Sequence, residues 1–317
     1  LDAARARPIK HLMVNTNGLR IAQDAAFAER LASYAPGIEV YLQFDSLRRE
    51  ALMDLRGADL RGPHDAALKR LNELGVSTTL VMTVKRGVND DEVGDIIRHG
   101  ESYACVRGVT LQPIQDAGRV EGYDPARHRL TVSELRRRIA EQSGSFTLQD
   151  VLPVPCNPDT LAMAYALRKP GGGLVPLTRF VDPATLLAGD RSTISFERDL
   201  DLRSQLFKLF STNHSPESGA NCLSELLCCL PRIDAPSLSY RDVFRVLIVQ
   251  FMDAQSLDIR ALKKSCVHMA QADGRMIPFE AYNLFYRDEK AVQLKRIREG
   301  LESARQRRSS IPISAST

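Results

Sequence analysis

Six cysteines are the residues of this sequence best suited to chemistry beyond proton transfer: Cys105, Cys156, Cys222, Cys228, Cys229 and Cys266. Thiolates ligate zinc and iron–sulfur clusters, usually through closely spaced Cys-x-x-Cys pairs. No two of the six form such a pair. Cys105 stands at the start of an apolar run and reads as a packed core thiol. Cys228 and Cys229 close a run with Leu226, Leu227 and Leu230, and adjacent residues cannot share one helix face. Cys222 and Cys229 are seven apart, about two helical turns on one face and too far for a single chelate step. Cys156, set among Pro155 and Pro158, and Cys266, beside His268, lie in loop-like contexts where ligation fits. The candidate metal set is therefore Cys156, Cys228, Cys229 and Cys266. His11, His64, His99, His128 and His214 are isolated and read as surface or partnered side chains.

A second group of candidates lies at the ends of β-like runs. Residues 11–15 (HLMVN), 38–44 (IEVYLQF), 76–84 (VSTTLVMTV) and 106–114 (VRGVTLQPI) read as strands. They end in Thr16-Asn17-Gly18, in Gln43 to Ser46, in Thr83 to Asn89, and in Gln112 to Asp116, all polar. Loops begin with polar residues in any protein, so polarity alone does not mark a site. Helical spacing fills the gaps at 22–35, 63–74 and after Asn89-Asp90-Asp91-Glu92, whose acidic residues suit a helix start. Asp45-Ser46 can cap the stretch that follows, and Gly75 stands where a C′ glycine would. Alternating βαβα predicts an α/β fold with a parallel sheet, as a barrel or as an open doubly wound sheet. In both, ligands bind at the C-terminal ends of the strands.

The pattern changes from Ala117. Residues 118–129 read as a loop, and 131–142 as a helix with a capping box from Thr131 to Glu134. A proline-rich stretch holds Cys156, and 169–173 (KPGGG) reads as a flexible loop. Helical spacing returns at 181–190 and 199–230, and 240–252 is an apolar helix or strand. Asp273-Gly274-Arg275 suits the turn of a hairpin, and the tail from Lys290 is basic, with 306–317 polar and disordered in character. The organisation expected is a barrel portion at 1–129, a mixed C-terminal extension at 130–289 and a basic tail at 290–317. The 317 residues carry 43 Lys and Arg against 39 Asp and Glu, and a net charge of +4 does not point to nucleic acid. No apolar run reaches the length of a membrane span, there is no signal-peptide pattern, and the cysteine spacing is not a secreted disulfide framework. A reducing, cytoplasmic setting fits these features. Dinucleotide, Walker, serine-hydrolase and His-Glu-x-x-His fingerprints are all missing from the sequence.

Four segments in order carry a family resemblance: Thr16-Asn17-Gly18, Tyr41 to Ser46 (YLQFDS), Leu55-Arg56-Gly57 and Arg86 to Glu92 (RGVNDDE). Together they resemble the radical S-adenosylmethionine (radical SAM) enzymes, in the branch of molybdenum-cofactor biosynthesis. Later segments, among them 109–114 (VTLQPI), 152–156 (LPVPC), 244–253 (FRVLIVQFMD), 265–269 (SCVHM) and 282–287 (YNLFYR), look like the narrower tetraether lipid synthase-like group. The resemblance implies a partial (β/α) barrel and a 4Fe–4S cluster held by Cys-x-x-x-Cys-x-x-Cys. It also implies reductive cleavage of SAM to a 5′-deoxyadenosyl radical that abstracts hydrogen from an unactivated carbon. The substrate would be a small molecule or a lipid, and the reductant a ferredoxin or flavodoxin. Thr16 matches the family's Thr-Asn-Gly strand end near SAM, Gln43 takes the place of a SAM-contacting Ser, and Thr83 and Gln112 follow by strand position. Cys156, Cys228, Cys229 and Cys266 resemble the cysteines of an auxiliary Fe–S cluster region, although Thr160 and Leu161 stand where relatives have further cysteines.

The sequence departs from the family in lacking the Cys-x-x-x-Cys-x-x-Cys motif. It also lacks the Gly-Gly-Glu motif that holds the amino group of SAM. By position, the strand ending at Thr16 resembles the family's third, so the expectation is an N-terminally truncated barrel lacking its first strands. Two other readings compete. One is a non-catalytic binding or scaffold protein that lost the cluster motif. The other is an aldolase-like barrel using Lys85, the lysine nearest a strand end, as a Schiff-base nucleophile.

Overall fold

The computed structural model describes residues 1–9, 12–35, 37–116, 122–154, 157–169, 171–179, 243–265 and 267–287, with positions 292, 296 and 297. The described residues fall into two compact units. One lies within Leu1–Ile114 and Asp124–Gln250, the other within Gln115–Tyr123 and Phe251–Thr317.

In the first unit a short helix α1 (Asp2–Arg5) precedes β1 (Leu12–Thr16), α2 (Leu19–Gln23), α3 (Ala25–Ala32), β2 (Ile38–Gln43), α4 (Arg49–Arg56), α5 (Arg61–Glu73), β3 (Thr78–Val84), α6 (Val93–Glu101) and β4 (Val106–Pro113). The alternation expected from the hydrophobic pattern is present, and β1 to β4 pair parallel in chain order. The helix expected over 22–35 is instead two. Asp24 adopts an extended conformation and its carboxylate accepts from the Phe27 amide at 2.9 Å, so it caps α3 and breaks the run. Asp45 and Ser46 do not cap α4, whose N-cap is Arg48 with no side-chain cap. Their side chains are engaged elsewhere. The acidic run before α6 differs in the same way, because Asp90 accepts from Gly87 N at 2.7 Å and pairs with Arg138 at 2.7 Å.

The loop expected at 118–129 contains a single-turn helix α7 (Pro125–His128), capped by Asp124. It leads to α8 (Val132–Gln142), where the Thr131–Glu134 capping box forms in full. Four further strands follow: β5 (Leu152–Pro153), β6 (Leu161–Arg168), β7 (Leu174–Pro176) and β8 (Val243–Val249). The ambiguous run at 240–252 is thus a strand, and β6 is one that sequence pattern did not show. The triple glycine at 171–173 turns β6 into antiparallel β7. All eight strands form one sheet ordered β1-β2-β3-β4-β8-β6-β5, with β7 on β6. Pairing is parallel from β1 through β8 and antiparallel from β8 to β6. This is a mixed α/β fold with a parallel-rich sheet, and the ordered path does not close on itself among the described residues.

One apolar core covers one face of that sheet. Val40, Leu42, Leu80, Met82, Val109, Leu111, Val246 and Ile248 from the strands join Leu31, Leu68, Leu71, Ile96, Ile97, Leu135 and Ile139 from the helices. Strand side chains alternate between faces, so the other face carries the intervening residues. On β2 these are Glu39, Tyr41 and Gln43, on β3 Thr79, Val81 and Thr83, and on β4 Thr110 and Gln112. Purely parallel sheets covered on both faces by helices read as apolar throughout. This one is apolar on the helix side and, along β2 to β4, mostly polar on the other, while β6 and β8 put Met163 and Leu247 there beside Tyr165 and Arg245.

The second unit is small. Its hairpin, β9 (His268–Ala270) and β10 (Met276–Pro278), turns at Asp273-Gly274-Arg275 as expected. A short α9 (Ile259–Leu262) precedes it. After it come α10 (Phe279–Ala281) and a π-helical turn at Tyr282–Tyr286. The Phe251 and Phe279 rings pack at 4.4 Å. Among the described residues no helix is long and apolar enough to cross a membrane.

Candidate functional site

The C-terminal ends of β1, β2 and β3 carry one connected polar network in which the Arg56 guanidinium is the hub. Its Nε donates to Asp45 Oδ2 at 2.6 Å and its Nη2 to Asp45 Oδ1 at 2.9 Å, a two-point pair. The same Nη2 lies 3.1 Å from Gln43 Oε1 and 3.3 Å from Thr83 Oγ1. Gln43 Nε2 donates onward to Asn15 Oδ1 at 2.7 Å. Burial opposes the Arg56 charge, but the Asp45 carboxylate overcomes it and holds the guanidinium pKa above its ordinary value.

Asp45 is fully buried and is the non-glycine residue of the described chain with positive φ, at 58°. That left-handed conformation costs an L-residue energy and persists where its surroundings fix it. Here they do. The Thr83 amide donates to Asp45 Oδ1 at 2.8 Å, and Asn89 Nδ2 donates to the Asp45 carbonyl at 2.9 Å and the Thr83 carbonyl at 2.8 Å. Asn89 Oδ1 then accepts from the Lys85 amide at 2.8 Å. Asn89 thus ties the loop after β2 to the loop after β3.

Of the four expected cofactor contacts, Gln43 and Thr83 meet at Arg56. Gln112 lies opposite Thr83 in the β3–β4 register. Thr16 ends β1, where its Oγ accepts from Gly18 N at 3.1 Å. Gly18 has φ 78°, and a Cβ there would meet Leu42 Cδ1 at 2.6 Å. Only glycine lets the chain turn so close to the core. Lys85 Nζ is paired with Asp54 Oδ2 at 2.7 Å, which occupies the amine that a Schiff-base role would need free. Asp45 and Arg56 both stand in the segments that carry the family resemblance, but nothing in the sequence shows that they pair. Cys156, Cys228, Cys229 and Cys266 lie outside the described residues. Cys105 is buried as expected, and burial raises its thiol pKa to about 11. Among the described residues no group of three or more His, Cys, Asp and Glu side chains could hold a metal ion.

Two further features surround the network. Beneath it, His64 is buried at 1% exposure and stacks at 5.3 Å on Phe44, which stacks at 5.2 Å on His99. Burial lowers the pKa of both imidazoles, so each is held neutral. Lower on the polar face of the sheet, Arg245 Nη2 donates to Tyr41 Oη at 2.9 Å and lies 3.6 Å from Glu39 Oε1. Thr79 Oγ1 also donates to Glu39. Burial raises the pKa of Tyr41 and of Tyr165 in this layer, against the pull of Arg245.

No family model matches the chain. It is 28% identical over 325 aligned positions to a protein of Methanocaldococcus jannaschii named 7,8-dihydro-6-hydroxymethylpterin dimethyltransferase. The alignment takes in 91% of this chain and 64% of that relative, so the chain spans less than two thirds of its length. The relative is named for a pterin and for methyl transfer. The expected likeness to the tetraether lipid synthase-like group, and the lipid substrate that went with it, gain no support from that name.

Proposed function

We propose that this chain is part of a radical SAM enzyme that acts on a small heterocyclic substrate of the pterin kind in a methyl-transfer reaction. The observation that carries this is the 28% identity to a pterin dimethyltransferase along 91% of the chain. The network at the strand ends supports it, because ligands of parallel α/β sheets bind there. In this reading β1 to β4 belong to a partial (β/α) barrel, and the polar face of the sheet is its lumen. The residues present fit SAM in kind: Thr16, Gln43, Thr83 and Gln112 supply hydroxyl and carboxamide groups at neighbouring strand ends. They do not fit the catalytic 4Fe–4S cluster, since its cysteine motif is missing from these 317 residues. Cys156, Cys228, Cys229 and Cys266 would serve an auxiliary cluster. The cofactors supply the methyl group and the radical chemistry when bound. This chain's own residues bind, orient and exclude water.

The test is anaerobic reconstitution of the full gene product with iron and sulfide, followed by SAM carrying a labelled methyl group. The expected result is a visible cluster absorbance that bleaches on reduction, release of 5′-deoxyadenosine and methionine from one SAM, and release of S-adenosylhomocysteine from a second SAM whose labelled methyl appears in a reduced hydroxymethylpterin. A protein that gains no cluster and labels no pterin overturns the proposal. The missing motif favours a second reading, a binding protein without catalysis. It would bind SAM or a pterin and convert neither.

A further inference from the structure

The polar rim at the ends of β1, β2 and β3 has a hydrogen-bond direction, and Arg56 sets it. A guanidinium carries five N–H donors and no acceptor. Each neighbour therefore turns oxygen toward it: Asp45 both carboxylate oxygens, Gln43 its Oε1 at 3.1 Å and Thr83 its Oγ1 at 3.3 Å. With that oxygen turned inward, Gln43 points Nε2 away from Arg56, and Nε2 donates to Asn15 Oδ1 at 2.7 Å. Asn15 is then fixed in the same sense, with Oδ1 inward and Nδ2 outward. The unused groups are all donors. Among the described residues Arg56 Nη1, Asn15 Nδ2, the second N–H of Gln43 Nε2 and the Thr83 hydroxyl hydrogen donate to nothing. They are open to a ligand: Asn15 is exposed, Gln43 and Thr83 are half-buried, and the Arg56 side chain is 34% exposed. All four residues lie in the first unit. The carboxylate at the hub, Asp45, is fully buried and already accepts from Arg56 and the Thr83 amide.

We propose that this rim receives a carboxylate, that of the methionyl end of SAM. Asn15, Gln43 and Thr83 donate to its oxygens, and Arg56 Nη1 faces its charge. A carboxylate accepts about four hydrogen bonds, and bonds to an ionised acceptor are the stronger kind. Arg56 is also the positioning residue that keeps the other three facing outward as donors. Asn15 enters the site by this argument alone, since no sequence motif marked it. The inference rests on the SAM reading above and gives one end of that ligand its contacts.

The test titrates the reconstituted full gene product with SAM and with decarboxylated SAM, which lacks only the carboxylate, and reads binding by calorimetry. Asn15→Asp keeps the oxygen that accepts from Gln43 and replaces the outward donors with an acceptor. It should weaken SAM by about 10- to 100-fold, the range of a hydrogen bond to a charged group. Decarboxylated SAM should bind it no more weakly than it binds wild type. The melting temperature should stay at the wild-type value, because the position is exposed and its internal bond is kept. Arg56→Lys, again a donor without an acceptor, should weaken SAM less than tenfold. Arg56→Gln lets Gln43 and Thr83 turn round and should weaken SAM at least as much as Asn15→Asp does. If Arg56→Gln does not fold, Asn15→Asp decides the question. Asn15→Asp binding SAM as tightly as wild type overturns the inference and leaves the SAM reading standing. Equal weakening of both compounds also overturns it, since the carboxylate is then not what Asn15 meets. A folded Arg56→Gln protein with wild-type SAM affinity removes the positioning role. A wild-type protein that binds neither compound removes the SAM reading, and the inference falls with it.

Discussion

Arg56 neutralises a carboxylate that has no access to water, and its loss would strand that charge. Removing one partner of a buried pair costs about 3–5 kcal/mol. Arg56 is itself 34% exposed, so the lower end, about 3 kcal/mol, is expected for Arg56→Ala in urea unfolding. Arg56→Lys keeps the charge without the two-point geometry and should fall between. A wild-type midpoint in Arg56→Ala would show that the network contributes nothing. His64 gives the residue-scale pH dependence. Its folded pKa lies below the ordinary 6.5 through burial, with Asp45 raising and Arg56 lowering it in turn. The unfolded chain therefore takes the proton first as pH falls. Stability is complete above that ordinary value and declines below it, toward the depressed folded value. His64→Phe, which keeps a ring against Phe44, should flatten the decline between pH of about 7 and about 5 in urea titrations. An unchanged slope would assign the effect to His99. The polar strand ends were legible in the sequence because strands end where apolar alternation ends. The Arg56–Asp45 pair was not, since it depends on a positive φ at Asp45 and on the turn of α4 that returns Arg56 to the same strand end.

Among the elements, β1 to β4 and the helices between them followed from period-two and period-3.6 spacing, and the Thr131 capping box followed from two residues. The strand β6 did not. Its sequence, LAMAYALR, is built from strong helix formers. Ala162, Ala164 and Ala166 join the apolar core while Tyr165 lies in the polar layer, so burial on both faces erased the alternation. Burial likewise hid β8, whose VFRVLIV has one polar residue. What holds β8 beside β4 is close backbone approach at Gly108, which pairs in register with Arg245. A Cβ at Gly108 would collide with the Arg245 carbonyl. Backbone cannot yield as a flexible side chain can, so Gly108→Ala should cost about 3 kcal/mol. Gly37→Ala, where a Cβ would meet the Tyr34 carbonyl at an ordinary 3.8 Å, is the control and should be close to neutral. Hydrogen exchange should then show β8 amides opening earlier in Gly108→Ala, and equal protection in the two variants would remove the argument.

At the scale of the molecule, the expectation was a barrel portion followed by an appended extension, and the sheet crosses that boundary. The polar face shows why the crossing matters. Glu39 on β2 and Arg245 on β8 are 0% and 5% exposed, and they reach one another across β3 and β4. Neither charge could be placed from sequence, because each lies in a run of apolar residues and their pairing depends on the strand order. An isolated buried charge is costly, while a matched pair can often be exchanged for neutral groups at little cost. Arg245→Met should therefore destabilise by about 3–5 kcal/mol, since it leaves Glu39 uncompensated. Glu39→Gln strands the Arg245 charge in turn and should also destabilise, by somewhat less, because Arg245 keeps its bond to Tyr41 Oη and Thr79 can still donate to the amide oxygen. The double variant should be more stable than Arg245→Met alone, with a coupling of about 2 kcal/mol between the two sites. Urea unfolding of the four proteins measures it. Strictly additive costs would mean that Arg245 serves Tyr41 and Tyr165 alone, and that the early and late parts of the chain are joined by strand pairing without this charge layer.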